Sequence, residues 1–257
     1  MTFDIVALGD PALRLTLALV LGSAIGFERQ WHQKMAGLRT NALVALGAAG
    51  FVVFSGLVGQ GDPTRVAAQV VISNERTTPI ATATANNGSP SDIQITNAGT
   101  IRVATGAAVT VNSSNSVTNA GRILMENADD GATGVLLLGG NTANFTNNGQ
   151  INITDNVTNT DTDNDGDQDG AFASGTGRFG VRLIGPGDLT GNIVNSRSSI
   201  ITVEGNQSAG ISVETGLIGN LSNFGAINMT GDQSFGIRTT GQVTGNVWAG
   251  GPISARG

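Results

Sequence analysis

The chain contains no cysteine and no tyrosine, a single histidine (His32) and a single lysine (Lys34). Without cysteine there is no disulfide framework, thiolate zinc site or sulfur nucleophile. One histidine removes the usual Ser-His-Asp constellations and histidine-rich metal centres. Charge is scarce as well, with 13 Lys+Arg against 19 Asp+Glu in 257 residues and a net charge of −6. That balance excludes nucleic acid as a partner, because phosphate binding needs a basic face. What the chain has in abundance is glycine, 38 residues of it, and asparagine.

Both are unevenly spread. Residues 1–71 hold 9 of the Gly, 1 of the 24 Asn, 5 basic and 4 acidic residues. The remaining 186 residues hold 29 Gly, 23 Asn, 15 acidic residues and 8 basic ones, all Arg. So abrupt a change predicts two unlike units: a segment 1–71, a linker or N-terminal cap at 72–92, and a repeat domain at 93–257 with an acidic insertion at 155–177.

In the first unit, Ala42 to Gly59 is an uncharged run of 18 residues, against the roughly 20 that a helix needs to cross a bilayer core. Leu15 to Phe27 is a shorter run of 13, extended if Arg14 snorkels to the interface. Gly22, Ser23 and Gly26 would let the two helices approach closely. Between them, residues 28–40 carry Arg29, Lys34 and Arg39 against Glu28. The positive-inside rule puts this loop in the cytoplasm and residues 60–257 on the outer side of a bacterial membrane, at the cell envelope or surface. A transmembrane hairpin in contact with membrane lipid is the expectation. A secretory signal peptide fits less well, because Met1 to Pro11 has Asp4 and Asp10 and no basic residue. Two buried soluble helices are the third reading of such short apolar runs.

The residues LRLTLALVLGSAIGFERQWHQKMAGLRTNALVALGAAGFVVFSG followed by DPTRVAAQVV resemble the start of the MgtC/SapB family of bacterial inner-membrane proteins. The Glu28-Arg29 pair, Ala36-Gly37-Leu38-Arg39-Thr40 and Asp62-Pro63-Thr64-Arg65 fall in order over residues 12–71. The resemblance implies an inner-membrane location and a role in magnesium limitation and virulence, with no enzymatic activity. After Val71 the chain departs from the family, turning to Ile72-Ser73-Asn74-Glu75-Arg76 instead of further apolar helices.

Beyond residue 92 three landmarks recur in fixed order. Asn-x-Gly-x-Ile begins at Asn97, Asn119, Asn147 and Asn223; Gly-Ile/Val stands at Gly134, Gly180, Gly210 and Gly236; Gly-Asn stands at Gly191, Gly219 and Gly245. Their spacings of 22 to 28 residues share one period of about 25, which signals a repeat architecture. Short apolar runs alternate at period two, as in Ile201-Thr202-Val203 and Ile211-Ser212-Val213, with Gly and Asn available for positive-φ corners. This pattern predicts a mainly β fold, a right-handed parallel β-helix of about 25 residues per coil and five to six coils, with Ile and Val stacked inward and Asn laddered at the turns.

The sequence from Ile72 onward resembles the passenger region of bacterial autotransporters, through ISNERTTPIATATANNGSPSDIQITNAGTI and through TDNDGDQDGAFASGTGRFGVRL followed by ITVEGNQSAGISVE. That likeness implies a surface-exposed structural or adhesive stalk with a host or cell-surface ligand. The chain ends within a repeat, so an open sheet edge is expected there, with self-association through it.

The densest chemical signal is Asp161-Thr162-Asp163-Asn164-Asp165-Gly166-Asp167-Gln168-Asp169-Gly170. Calcium loops of this kind need carboxylates at alternate positions and Gly at position six. With Asp161 as position one, Asp163, Asp165, Gly166 and Asp169 fall at three, five, six and nine; a second frame from Asp165 uses Asp167, Asp169 and Gly170. Position twelve is Phe172 rather than a bidentate Glu, so a complete EF-hand is not expected. Asp161, Asp163, Asp165, Asp167 and Asp169 are the candidate metal ligands and calcium the candidate cofactor. A solvated acidic loop is the competing account.

No catalytic residue is identified. The chain is expected not to be an enzyme, although some β-helices act on polysaccharides and a calcium-dependent enzyme of that class is the last alternative. Arg178 and Arg182, just after the acidic loop, would share one strand face or pair with the loop.

Overall fold

A computed structural model of the protein describes residues 5–31, 40–49, 69–158, 160–166 and 169–257. They divide into two compact units, Met1–Ala67 and Ala68–Gly257.

The first unit is helical. Helix α1 runs from Ile5 to Trp31, and residues 40–49 form a second helical stretch. Gly22 is the contact point between them: a Cβ there would come within 2.6 Å of the Ala45 Cβ and 2.9 Å of the Asn41 carbonyl oxygen. Gly26 is buried too, so the small residues do permit close approach. Among the described residues, however, no helix is long and apolar enough to cross a membrane. In α1, Arg14 and Glu28 bound an uncharged stretch of 13 residues, about 20 Å of helix against a hydrocarbon core of about 30 Å. Of the second apolar run, residues 50–59 lie outside the described residues, as do loop residues 32–39. The expected transmembrane hairpin is therefore reduced to a close helix contact.

The second unit is a parallel β-solenoid. Seven coils stack into three long sheets and a two-stranded one of Leu189–Thr190 and Leu217–Ile218. The first sheet comprises Gln69–Ile72, Asp92–Ile95, Val117–Asn119, Phe145–Asn147, Ile193–Asn195, Leu221–Asn223 and Val247–Ala249. The second comprises Glu75–Arg76, Thr100–Arg102, Arg122–Met125, Gln150–Ile153, Ile200–Glu204, Ala226–Thr230 and Ile253–Arg256. The third has six strands, Ile80–Ala81, Ala107–Val111, Thr133–Leu138, Phe179–Ile184, Ala209–Val213 and Phe235–Thr239. The expected five to six coils become seven because the first begins at Gln69. Residues 75–76 and 80–81, expected in a linker or cap, are already paired strands.

Registration puts like on like. Ile101, Ile123, Ile151, Ile201, Ile227 and Ile253 form one column in the second sheet. Val109, Val135, Val181, Ile211 and Ile237 form another in the third. Most of these side chains are fully buried, each contributing roughly 1.5–3 kcal/mol of transfer free energy. The Gly-Ile/Val landmark has a packing cause. At Gly180, a Cβ would meet the Ile201 Cγ2 at 2.5 Å and the Gly210 carbonyl oxygen at 2.6 Å, so the isoleucine column occupies the space that a side chain there would need.

Asparagine does two jobs. Inside the corner between the first and second sheets, Asn119 Nδ2 donates to Asn147 Oδ1 (2.8 Å), Asn147 to Asn195 (2.8 Å) and Asn195 to Asn223 (2.7 Å). All four residues are buried. Outside the first sheet, the Gly-Asn landmark becomes a second ladder: Asn144 Oδ1 accepts from the Asn192 backbone N–H, Asn192 Oδ1 from that of Asn220, and Asn220 Oδ1 from that of Asn246.

The inner ladder differs from the motif reading at both ends of the pattern. Asn97 is exposed, and it is Ile95 that pairs with Asn119. Asn195, which no Asn-x-Gly-x-Ile motif marks, is a full member. Its corner, from Asn195 to Ile200, is two residues longer than that from Asn147 to Gln150, and Ser199 Oγ donates to Asn195 Oδ1 at 2.6 Å.

The last amide of the ladder, Asn223 Nδ2, has no acceptor, because Ala249 stands at the matching position of the seventh coil. Two substitutions test the ladder by chemical denaturation. Asn147→Ala strands its neighbours in the ladder and is expected to cost about 2–3 kcal/mol, whereas Ala249→Asn supplies the missing acceptor and is expected to gain about 1 kcal/mol.

Candidate functional site

The ladder steps by 28 positions from Asn119 to Asn147 and again from Asn195 to Asn223, but by 48 from Asn147 to Asn195. The excess is the acidic insertion, an excursion from the corner between the second and third sheets of the fourth coil.

Within it, ligand oxygens of Asp161, Asp163 and Asp169 lie within 4.8 Å of one another. Gly166, at position six of the first frame, takes φ +96° and donates its backbone N–H to Asp161 Oδ2 at 3.1 Å. This is the turn that the first frame requires, and the three carboxylates are oxygen donors that could hold a hard cation. Asp169 Oδ2 accepts from the Thr162 hydroxyl and from its backbone N–H, and these bonds, the hydroxyl's foremost, hold its carboxyl below the usual carboxylate range. Asp165 is exposed and outside the cluster of three. Asp167 lies outside the described residues.

The insertion is rooted by a pair that the acidic motif does not contain. Arg178 Nη1 lies 3.0 Å from Asp155 Oδ2, with both side chains only 4% exposed. The guanidinium also donates to the carbonyl oxygens of Glu204 (2.8 Å), Asp129 (3.3 Å) and Ala128, joining the third, fourth and fifth coils. Asp155 accepts backbone N–H bonds from Asn156 (2.8 Å), Ser174 (2.8 Å) and Gly175 (2.9 Å), and the Ser174 hydroxyl (2.9 Å). Burial alone would raise its pKa, but the bonds from Gly175, Asn156 and Ser174 outweigh it and hold the carboxyl at about 2. So held, Asp155 is no proton donor at neutral pH. Gly175 has no side chain because the guanidinium lies where a Cβ would be.

Arg178 and Arg182 therefore do not share a face. Arg178 stands in the corner before the strand starts at Phe179 and turns inward. Arg182 points outward, bonding bidentately to Glu214 (2.9 Å each) above the Phe179 ring. Arg238 joins the same carboxylate at 3.0 Å. Glu214 stays below the usual range because the Arg182 bond and its companions outweigh the effect of burial. Arg178 thus pairs with Asp155 at the base of the insertion and Arg182 with Glu214. A polar cavity of about 470 Å³ beside the root is lined by Asn127, Asp129, Asp130, Asp155, Ser174 and Arg178.

The helical unit and the start of the solenoid have recognisable relatives. Residues 15–121 match the MgtC family. The match thus runs past the start of the solenoid at Gln69, through its first two coils and into the third. An uncharacterized protein of Synechocystis is 63% identical over 63 residues, 24% of this chain and 27% of that protein. Protein MgtC of Brucella abortus is 62% identical over 65 residues, 25% and 27% of the two chains. Protein MgtC of Salmonella typhimurium is 58% identical over 59 residues, 23% and 26%. The chain spans about a quarter of the length of these curated relatives. No solved structure matches it.

Asp155→Asn leaves Arg178 buried without its counter-charge and is expected to destabilise the chain by roughly 3 kcal/mol at pH 7. Because the folded carboxyl titrates near 2 against an ordinary 3.8, its contribution is full above about pH 4 and is lost as pH falls towards about 2. Thermal melts across that range should show a fall in the parent chain that the Asn variant lacks.

Proposed function

We propose that the chain is a non-catalytic, membrane-anchored part of an envelope protein, in which an MgtC-like helical segment holds an autotransporter-type β-solenoid on the outer side of the membrane in a structural or adhesive role. The observation that carries the anchoring is the apolar surface of the helices. In α1, Leu17, Val20, Leu21, Ile25 and Phe27 are each more than half exposed despite their size, except that Leu19 between them is 42% exposed, and Leu43 and Val44 stand out at 69% and 67%. Such a surface is costly in water and suits lipid contact. The passenger-like role is supported by the parallel stacking and by outward rows of small polar side chains, such as Asn152, Thr202, Asn228 and Ser254 on the second sheet, which offer repeated hydrogen-bonding groups to a host or cell-surface ligand. Exposed Val247, Trp248 and Ile253 on the last coil favour self-association as a further contact.

Carbonate extraction of bacterial membranes and protease protection test the anchoring. The chain is expected to stay with the membrane pellet, and the solenoid to be cleaved from the outer side. Recovery in the soluble fraction, or cleavage from the cytoplasmic side alone, contradicts the reading.

The family match favours a second reading, in which residues 1–71 carry an MgtC-type role in magnesium limitation. A chain of residues 1–71 should then restore growth at low magnesium to a strain lacking its own MgtC protein.

Calcium binding at the insertion rests on the convergence of Asp161, Asp163 and Asp169. With few ligands, affinity is expected in the range of extracellular modules, about 10⁻⁴–10⁻³ M. Isothermal titration should show binding in the parent chain and at least about tenfold weaker binding in an Asp161→Asn/Asp163→Asn variant, since each removed carboxylate lowers ligand charge. Equal affinities would remove the loop as the site.

A further inference from the structure

In a solenoid each coil touches mainly its neighbours, so a contact that skips coils couples strands that stacking alone leaves to open independently. The seventh coil is poorly protected by packing: Val247 is 52% and Ile253 44% exposed, although their column partners Leu221 and Ile227 are fully buried. The insertion reaches past its neighbours towards this coil. It leaves the fourth coil at Asp155 and is rooted there by Arg178. On its return limb, Asn206 of the fifth coil donates its Nδ2–H to the Ala173 carbonyl oxygen (2.8 Å) and its backbone N–H to that of Gly175 (2.7 Å). The same side chain accepts, at Oδ1, the backbone N–H of Asp232 in the sixth coil at 2.8 Å. One residue before Ala173, the Phe172 ring lies under the guanidinium of Arg256 in the seventh coil, with Cζ 5.7 Å from the ring centroid.

We propose that Asp155 and residues 169–177 of the insertion form a strap that fastens the fifth, sixth and seventh coils to the fourth and couples opening of the seventh coil to its own release. Asp155 and Arg178 anchor one end, Asn206 relays the hold to the sixth coil, and Phe172 clips the seventh. Nearest-neighbour coupling is thereby supplemented by one contact that skips two coils, from Phe172 to Arg256, so the seventh-coil strand opens together with the strap rather than singly.

Amide hydrogen exchange on the 257-residue chain tests this, comparing the parent with Phe172→Ala, Asn206→Ala and the double variant. Both positions are at the surface or half-buried, outside the apolar core. Exchange in Ile253–Arg256 and Phe235–Thr239 is expected to quicken about three- to fivefold in Phe172→Ala and on the order of tenfold in the double variant, as loss of one exposed cation–π contact and one hydrogen bond would give. Asp92–Ile95 and Thr100–Arg102, in the second coil, should keep their parent rates. Unchanged rates in the final strands, or equal acceleration in every coil, would overturn the proposal.

Discussion

Every inward polar group of a parallel solenoid must find its partner in the coil above or below, and the four buried corner asparagines are where that constraint bears hardest. Each is shielded from water, and three of the four Nδ2 groups donate to the counterpart one coil on, Asn223 Nδ2 alone being left without an acceptor. A shift of one residue would turn every inward side chain outward and strand the amides together. Apolar columns supply most of the driving force but tolerate exchange among Ile, Val and Leu. The asparagines do not, so they fix which residue lies over which. The constraint also explains how the fourth coil accommodates its long excursion: Asn147 and Asn195 are bonded at 2.8 Å, the same distance as Asn119 and Asn147, despite a separation of 48 positions.

Much of this was legible in the sequence. The 25-residue period, the period-two alternation and the Gly-Asn and Gly-Ile/Val landmarks each correspond to a physical column. Where the reading failed, corner length was the reason. Asn97 and Asn119 share a spacing with their glycines, but the second coil has two extra corner residues that carry Asn97 out to solvent. The same extra length hid Asn195. The first coil escaped notice because Arg76, not an aliphatic residue, stands in its isoleucine column. In the insertion, alternating aspartates located the cluster of Asp161, Asp163 and Asp169, while the root pair was missed. Asp155 and Arg178 are 23 positions apart with no motif between them, and only the glycines at 175 and 205, both close against the arginine, hint that a large side chain must be housed there.

The two units place their apolar residues differently. In the helical unit, Gly22 allows contact with the second helix while large aliphatic side chains face outward. In the solenoid, aliphatic side chains face inward and the exterior is threonine, asparagine and a few arginine-carboxylate clusters, such as that of Arg182, Glu214 and Arg238. The change of composition near residue 71 accompanies this change in which side chains are exposed.

The absence of cysteine makes the central register directly measurable. With Thr146 paired to Val194 across the insertion and Thr118 two coils from Val194, oxidation of a Thr146→Cys/Val194→Cys variant should give an intramolecular disulfide in high yield, because adjacent strands about 4.8 Å apart meet disulfide geometry. A Thr118→Cys/Val194→Cys variant should give almost none. Efficient closure of the 118–194 pair, with none at 146–194, would contradict the stacking of the fourth coil directly on the fifth.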